Sequence, residues 1–142
     1  MIRPATLDDL PALLAMGERF ATAANLASHV GYDADSMALT FRHMIESPDA
    51  LLLITDALDG AVGGLIYPHP FNHSQRVGQE LFWWSEGREG LSLFEAVEAE
   101  ARRLGAVFWT MITLDAIKPE ATGRLYERRG YRRLETSYIK GL

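Results

Sequence analysis

Gly87 and Gly90 stand three apart in SEGREGLSLF (Ser85–Phe94), with Arg88 between them, where a bulky apolar run ends and a helical pattern begins. A strand that feeds such a turn and then a helix aims the helix's free N–H groups and positive dipole end at one place. That place suits an anion such as a diphosphate, and glycine lets the backbone approach it without Cβ atoms in the way. Gly87, Arg88, Glu89, Gly90, Leu91 and Ser92 are therefore candidate anion-binding residues. A second role is open to the same turn: a corner into a helix, with no ligand. The spacing matches neither of the stricter phosphate loops, since there is no Gly-Lys-Ser/Thr and no G-x-G-x-x-G after the first strand.

Two further side chains are chemically suggestive. Strand alternation predicts Glu80 on the same face as Phe82 and Trp84, with Leu81 and Trp83 on the other. A carboxylate held beside apolar bulk has its pKa raised, which makes Glu80 a candidate base. Tyr126, in LYERRGY, offers a phenol that either packs half-buried on an amphipathic helix or serves as a proton donor. His69 and His73 share a loop, but no carboxylate stands at helical spacing from them, so a metal site is not expected. With no cysteine and no G-x-S-x-G elbow, a covalent acyl-enzyme is not expected either.

These residues need elements to hold them. Ile2–Ala5 is a strand candidate, followed by a helix with Leu10, Leu13, Leu14 and Phe20 on one stripe and Asp8 as its N-cap. A second helix is predicted over 35–46, then strands at 50–55, 61–67 and 78–84, with PHPFNHSQ as a loop between the last two. The Asp-Gly pair at 59–60 marks a hairpin. Phe94, Val97, Ala101 and Leu104 line one face of the helix after the glycine turn, and Glu98 and Arg102 form an i,i+4 pair. AVFWTMITL (106–114) has bulk on both faces, which predicts a central strand covered on each side. A last helix over 119–129 stops at Gly130, and the alternating YRRLETSYI closes the chain as a strand. The order β-α-α-β-β-β-α-β-α-β predicts an α/β fold, a mixed sheet with helices on both faces.

Composition narrows the function. The 142 residues suit one domain spanning 1–142. A formal net charge of −5 argues against a nucleic-acid partner. Twelve of the fourteen basic residues are Arg, which is compatible with an anionic ligand. No apolar run approaches a membrane span and the N-terminus has no signal-peptide pattern, so a soluble cytoplasmic protein is expected.

The pattern resembles the GNAT family, the GCN5-related N-acetyltransferases. IRPATLDDLPALLAM resembles its first strand and helix, GREGLSLFEAVEAEARRLGA its acetyl-CoA pyrophosphate loop and following helix, and LYERRGYRRLETSYIKGL its last helix and strand. The likeness is nearest to short phage- and prophage-type members. It implies a central, mostly antiparallel sheet splayed between strands four and five, with acetyl-CoA or CoA as co-substrate. It also implies main-chain contacts near Trp83 and Trp84 to the pantetheine arm, Glu80 as a base toward an ammonium, and Tyr126 as general acid toward the departing sulfur. The family loop Arg/Gln-x-x-Gly-x-Gly/Ala falls here on Ser85, Arg88 and Gly90, and Pro119 replaces the Asn that often starts the last helix. The implied acceptor is an amine on a small molecule or a protein. Two matters are open: whether the fold kept only CoA binding or protein interaction, and whether the chain is a homodimer.

Overall fold

The structure, a computed structural model, describes Met1 to Leu142. Five strands form one sheet in the order β1 (Ile2–Pro4), β2 (Ala50–Thr55), β3 (Gly60–His69), β4 (Asn72–Ser85) and β5 (Phe108–Thr110). β1 to β4 pair antiparallel, and β5 lies parallel to β4. Four helices complete it: α1 (Leu10–Ala23), α2 (Ala34–Glu46), α3 (Gly90–Arg103) and α4 (Pro119–Arg128). This is the expected mixed fold with helices on both faces.

The continuous apolar run of β2 is explained by its place between two layers. Leu52 and Ile54 face α1 and α2 and pack with Leu13, Met16, Phe41, Met44 and Phe82. Leu51 and Leu53 face the other way, against Leu93, Val97 and Ala101 of α3. Each such side chain contributes about 1.5–3 kcal/mol by leaving water. α2 begins where Asp33 accepts the Ser36 N–H at 2.8 Å. At α1 the buried Asp9, not Asp8, organises the start: it accepts the Thr6 N–H at 2.8 Å and a forked pair from Arg3 at 2.8 and 2.9 Å. A 3-10 turn at Leu7–Asp9 absorbs the residues expected to open the helix.

Three stretches differ from expectation. PHPFNHSQ is not a loop: β3 and β4 continue as a two-stranded arm that turns at Pro70 and Phe71. Pro68 fits there because β2 covers β3 only as far as Leu65, so the missing N–H faces no neighbouring strand. The run 106–114 is not a central strand: only Phe108–Thr110 pair, at the sheet's edge. Trp109 holds it there by lying across Gly64 and Gly78; a Cβ on Gly78 would stand 2.6 Å from the indole. YRRLETSYI forms no strand, because residues beyond Tyr131 make no backbone hydrogen bond to the sheet. Glu98 does not pair with Arg102; it accepts the Tyr131 hydroxyl at 2.8 Å.

Candidate active site

A β-bulge sets the position of Glu80. In the β3–β4 register Gly63 opposes Phe82 and Gly64 opposes Glu80, so Leu81 is an extra residue on β4. One extra residue reverses the side-chain alternation beyond it. Glu80 therefore shares the α3 face with Trp83, rather than the α1–α2 face with Phe82 and Trp84. The expectation from simple alternation was wrong for this reason.

On that face β5 and β4 part company. Pairing ends at Gln79 with Thr110, and the next residue of β4 fills the opening: a Glu80 carboxylate oxygen accepts the Ile112 N–H at 3.0 Å. Tyr126 of α4 reaches the same peptide from the other side, its hydroxyl donating to the Ile112 carbonyl at 2.8 Å. Two residues 46 positions apart in sequence thus converge on one backbone unit. Burial pushes the Glu80 carboxyl up to about 7, only partly offset by the hydrogen bond from Ile112. Burial, and then the nearby Glu80 charge, raise the Tyr126 phenol well above its ordinary value. Tyr126 is therefore neutral at ordinary pH and keeps its proton. Its ring stacks on Phe94 with centroids 5.9 Å apart and touches Trp83 and Tyr131, so it is a packing residue as well.

The divergence opens a cleft of about 270 Å³ lined by Phe20, Glu80, Leu81, Trp83, Trp84, Ser85, Ile112, Leu114, Ile117, Thr122 and Tyr126. Along 81–85 the backbone of β4 is bonded to β3 on one side and open on the other. The Trp83 indole N–H, on the cleft wall, is buried without an acceptor. The Trp84 indole N–H instead reaches Glu86 at 2.8 Å, where Arg19 also pairs. Arg19 is the chief reason the Glu86 carboxyl is held below its ordinary value.

At the head of the cleft, the glycine turn joins β4 to α3. Six successive N–H groups, Gly87 to Ser92, have no acceptor within the chain. They form a run of donors at the positive end of a 14-residue helix. The two glycines differ. The side of Gly87 where a Cβ would lie is filled by the Asp59 carboxylate, and the Glu86 N–H donates to the Asp59 carbonyl at 2.8 Å. At Gly90 a Cβ would meet only the Ser85 side chain, at 3.3 Å. Gly87 thus seats the β2–β3 turn, whereas no packing contact demands Gly90. Arg88 makes no ion pair and is exposed, while Glu89 accepts from the Met1 amino group at 3.1 Å.

The structure thus brings Glu80, Trp83 and Tyr126 into one cleft with Trp84 on its rim, and sets Gly87–Ser92 at its head. The residues missed from sequence are Ile112, which joins Glu80 to Tyr126 through its peptide groups, and Asp59, which backs the turn. A backbone role leaves no mark on residue type at Ile112. The short spacing of Thr55, Asp59 and Gly60 was a signal for Asp59: it is fixed by the Thr55 hydroxyl at 2.7 Å. No cluster of three or more His, Asp or Glu side chains is arranged to hold a metal, and no helix is long and apolar enough to cross a membrane.

No protein-family model matches the sequence, and no curated protein matches it. Solved structures do match in three dimensions. A ribosomal-protein-alanine N-acetyltransferase from Brucella melitensis superposes with a TM-score of 0.70 at 19% identity, covering 100% of this chain and 99% of that one. A GCN5-related N-acetyltransferase from Ralstonia eutropha gives 0.71 at 20% identity, covering 100% and 97%. A predicted acetyltransferase with acetyl-CoA from Clostridium acetobutylicum gives 0.74 at 12% identity, covering 99% and 95%. The chain has the fold of these acetyltransferases over its whole described length.

Proposed function

We propose that this chain is a GCN5-related N-acetyltransferase that moves an acetyl group from acetyl-CoA directly to an amine, on a small molecule or a protein. Within that family the sequence resemblance is nearest to phage-type members. The observation that carries the reading is the alignment of a donor-rich helix mouth, an open strand edge and a cleft holding a carboxyl poised near neutrality. The residues suit acetyl-CoA: the free N–H groups of Gly87–Ser92 would hold its diphosphate, and the open edge of β4 near Trp83 and Trp84 its amide-bearing arm. When bound, acetyl-CoA supplies a thioester that an amine attacks, with loss of a thiolate.

The chain's own groups manage the protons. Glu80, with a carboxyl pushed up to about 7, takes one from an ammonium at neutral pH, directly or through water. Tyr126 retains its phenolic proton and can release the Ile112 carbonyl to donate it toward the departing sulfur. The apolar walls of Phe20, Trp83, Leu114 and Ile117 limit water around these two groups.

One observation favours a second reading, a CoA-binding module without turnover: the Asp59, Glu86 and Glu89 carboxylates crowd the helix mouth, which weakens its field for a diphosphate. Calorimetric titration with acetyl-CoA and a thiol-release assay over an amine panel separate the two. The enzyme reading predicts binding, loss of binding in Gly90→Asp, and amine-dependent thiol release above background. Binding with background release only would leave the module. Absence of binding would remove both.

A further inference from the structure

A second cavity lies between α1 and α2, over β4. It holds about 150 Å³ and is walled by Phe20, Leu26, Met37, Met44, Leu81 and Phe82. Phe20 and Leu81 also line the cleft that holds Glu80, so these two side chains form the partition between the two spaces. The bulge creates this neighbourhood. Leu81, the extra residue of β4, stands between Glu80, which faces the cleft, and Phe82, which faces the cavity.

The walls decide what can enter. No charged side chain lines the second cavity, and both its hydroxyls are engaged. Tyr32 donates to the Leu14 carbonyl at 3.0 Å, and Thr40 to the Ser36 carbonyl at 3.2 Å. A polar occupant would give up water and find no donor in exchange. An apolar cavity of this size stays dry and takes up a ring such as benzene. The cleft adds a preference of sign. Its one charged wall residue is Glu80, and it has no Lys, Arg or His. Arg19, next to Phe20 in α1, is already paired with Glu86. An ammonium therefore finds a partner in the cleft, whereas a carboxylate would be buried without one.

We infer that the acceptor is a small primary amine that carries one aromatic ring on a short apolar linker and has no carboxylate. The ring occupies the cavity between α1 and α2, the linker passes Phe20 and Leu81, and the nitrogen lies in the cleft by Glu80. The inference rests on the acetyltransferase reading for its reaction, while the occupancy of the cavity does not.

Three matched amines test it: phenethylamine, ethylamine, which lacks the ring, and the amino acid phenylalanine, which adds a carboxylate. With acetyl-CoA as donor, kcat/KM for phenethylamine should exceed that for each of the others about 30-fold or more. In Thr40→Phe, which fills the cavity, the lead over ethylamine should fall about tenfold or more. Leu81→Ala, at a site 43% exposed and so undemanding for folding, should narrow the same lead by removing the partition. Equal kcat/KM for the three amines, or a lead that neither variant narrows, would overturn the inference and leave the acetyltransferase reading standing. If no amine releases thiol, that reading falls and binding alone decides the cavity. The methyl resonances of Leu26, Met37 and Met44 should then still shift with phenethylamine and not with ethylamine, and their failure to shift would overturn the inference as well.

Discussion

From β1 to β4 the sheet is closed, and beyond β4 it is open. In the closed part every neighbouring pair of strands runs antiparallel, with β2 buried at every position and packed on both faces. The open part keeps three residue pairs between β4 and β5, after which the strands separate and the chain ends in an unpaired tail. The candidate catalytic and binding groups lie on the border between them. Glu80 fills the first position after pairing stops, Trp83 lies farther along the same opening, and the glycine turn follows where β4 ends. A regular sheet would bond the main-chain groups that are open here and leave no room for a cleft. The closed part therefore acts as a support whose stability permits the irregularity beside it.

That contrast can be broken from either side. The largest effect should come from the support: Phe41 is fully buried and packs against Phe82, so Phe41→Ala should cost about 4 kcal/mol in denaturant unfolding. Next is Glu80. Its folded-state pKa of about 7 lies above the ordinary 4.5, so the folded form binds the proton more tightly than the unfolded chain. Its contribution to stability is greatest below pH 4.5 and is lost as pH rises through 7, a fall of about 3 kcal/mol. Asp9, held down to about 2 by Arg3, changes only at lower pH and leaves that window to Glu80. Glu80→Gln should flatten the stability profile between pH 5 and 8, and should lower kcat/KM about 10²-fold or more at neutral pH. An unchanged slope would show that Glu80 is not buried as the bulge requires. The smallest effect on stability belongs to Tyr126→Phe, which removes the bond to the Ile112 carbonyl. It should cost about 1 kcal/mol in unfolding and lower kcat about tenfold, with KM for acetyl-CoA unchanged. An unchanged kcat would leave Tyr126 as a packing residue alone.

The same border divides what was legible in the sequence from what was not. α1, α2 and α3 follow from their helical pattern and β2 from its continuous apolar run, because their apolar faces record the layers they pack against. The glycine turn was legible for a similar reason, since local geometry restricts the residue types at a strand-to-helix corner. Simple alternation failed at Glu80, because a bulge depends on pairing with β3 and Leu81 looks like any strand residue. It failed again in 106–114 and 131–139. There the apolar pattern of a strand is present, but pairing is absent or brief, and pairing decides whether a strand forms. PHPFNHSQ failed in the opposite sense: turn-forming residues entered strands because one edge of β3 is free beyond Ile66, whose N–H makes the last bond on that side, to the Asp49 carbonyl.

The most direct test follows backbone amide resonances while CoA is added to the labelled protein. The donors that lack acceptors, Gly87 to Ser92, should shift most, with Trp83 to Ser85 moving along the open edge of β4. Shifts confined to other surfaces, or no shift at saturating CoA, would contradict the claim that the opening beside β4 is built to hold this ligand.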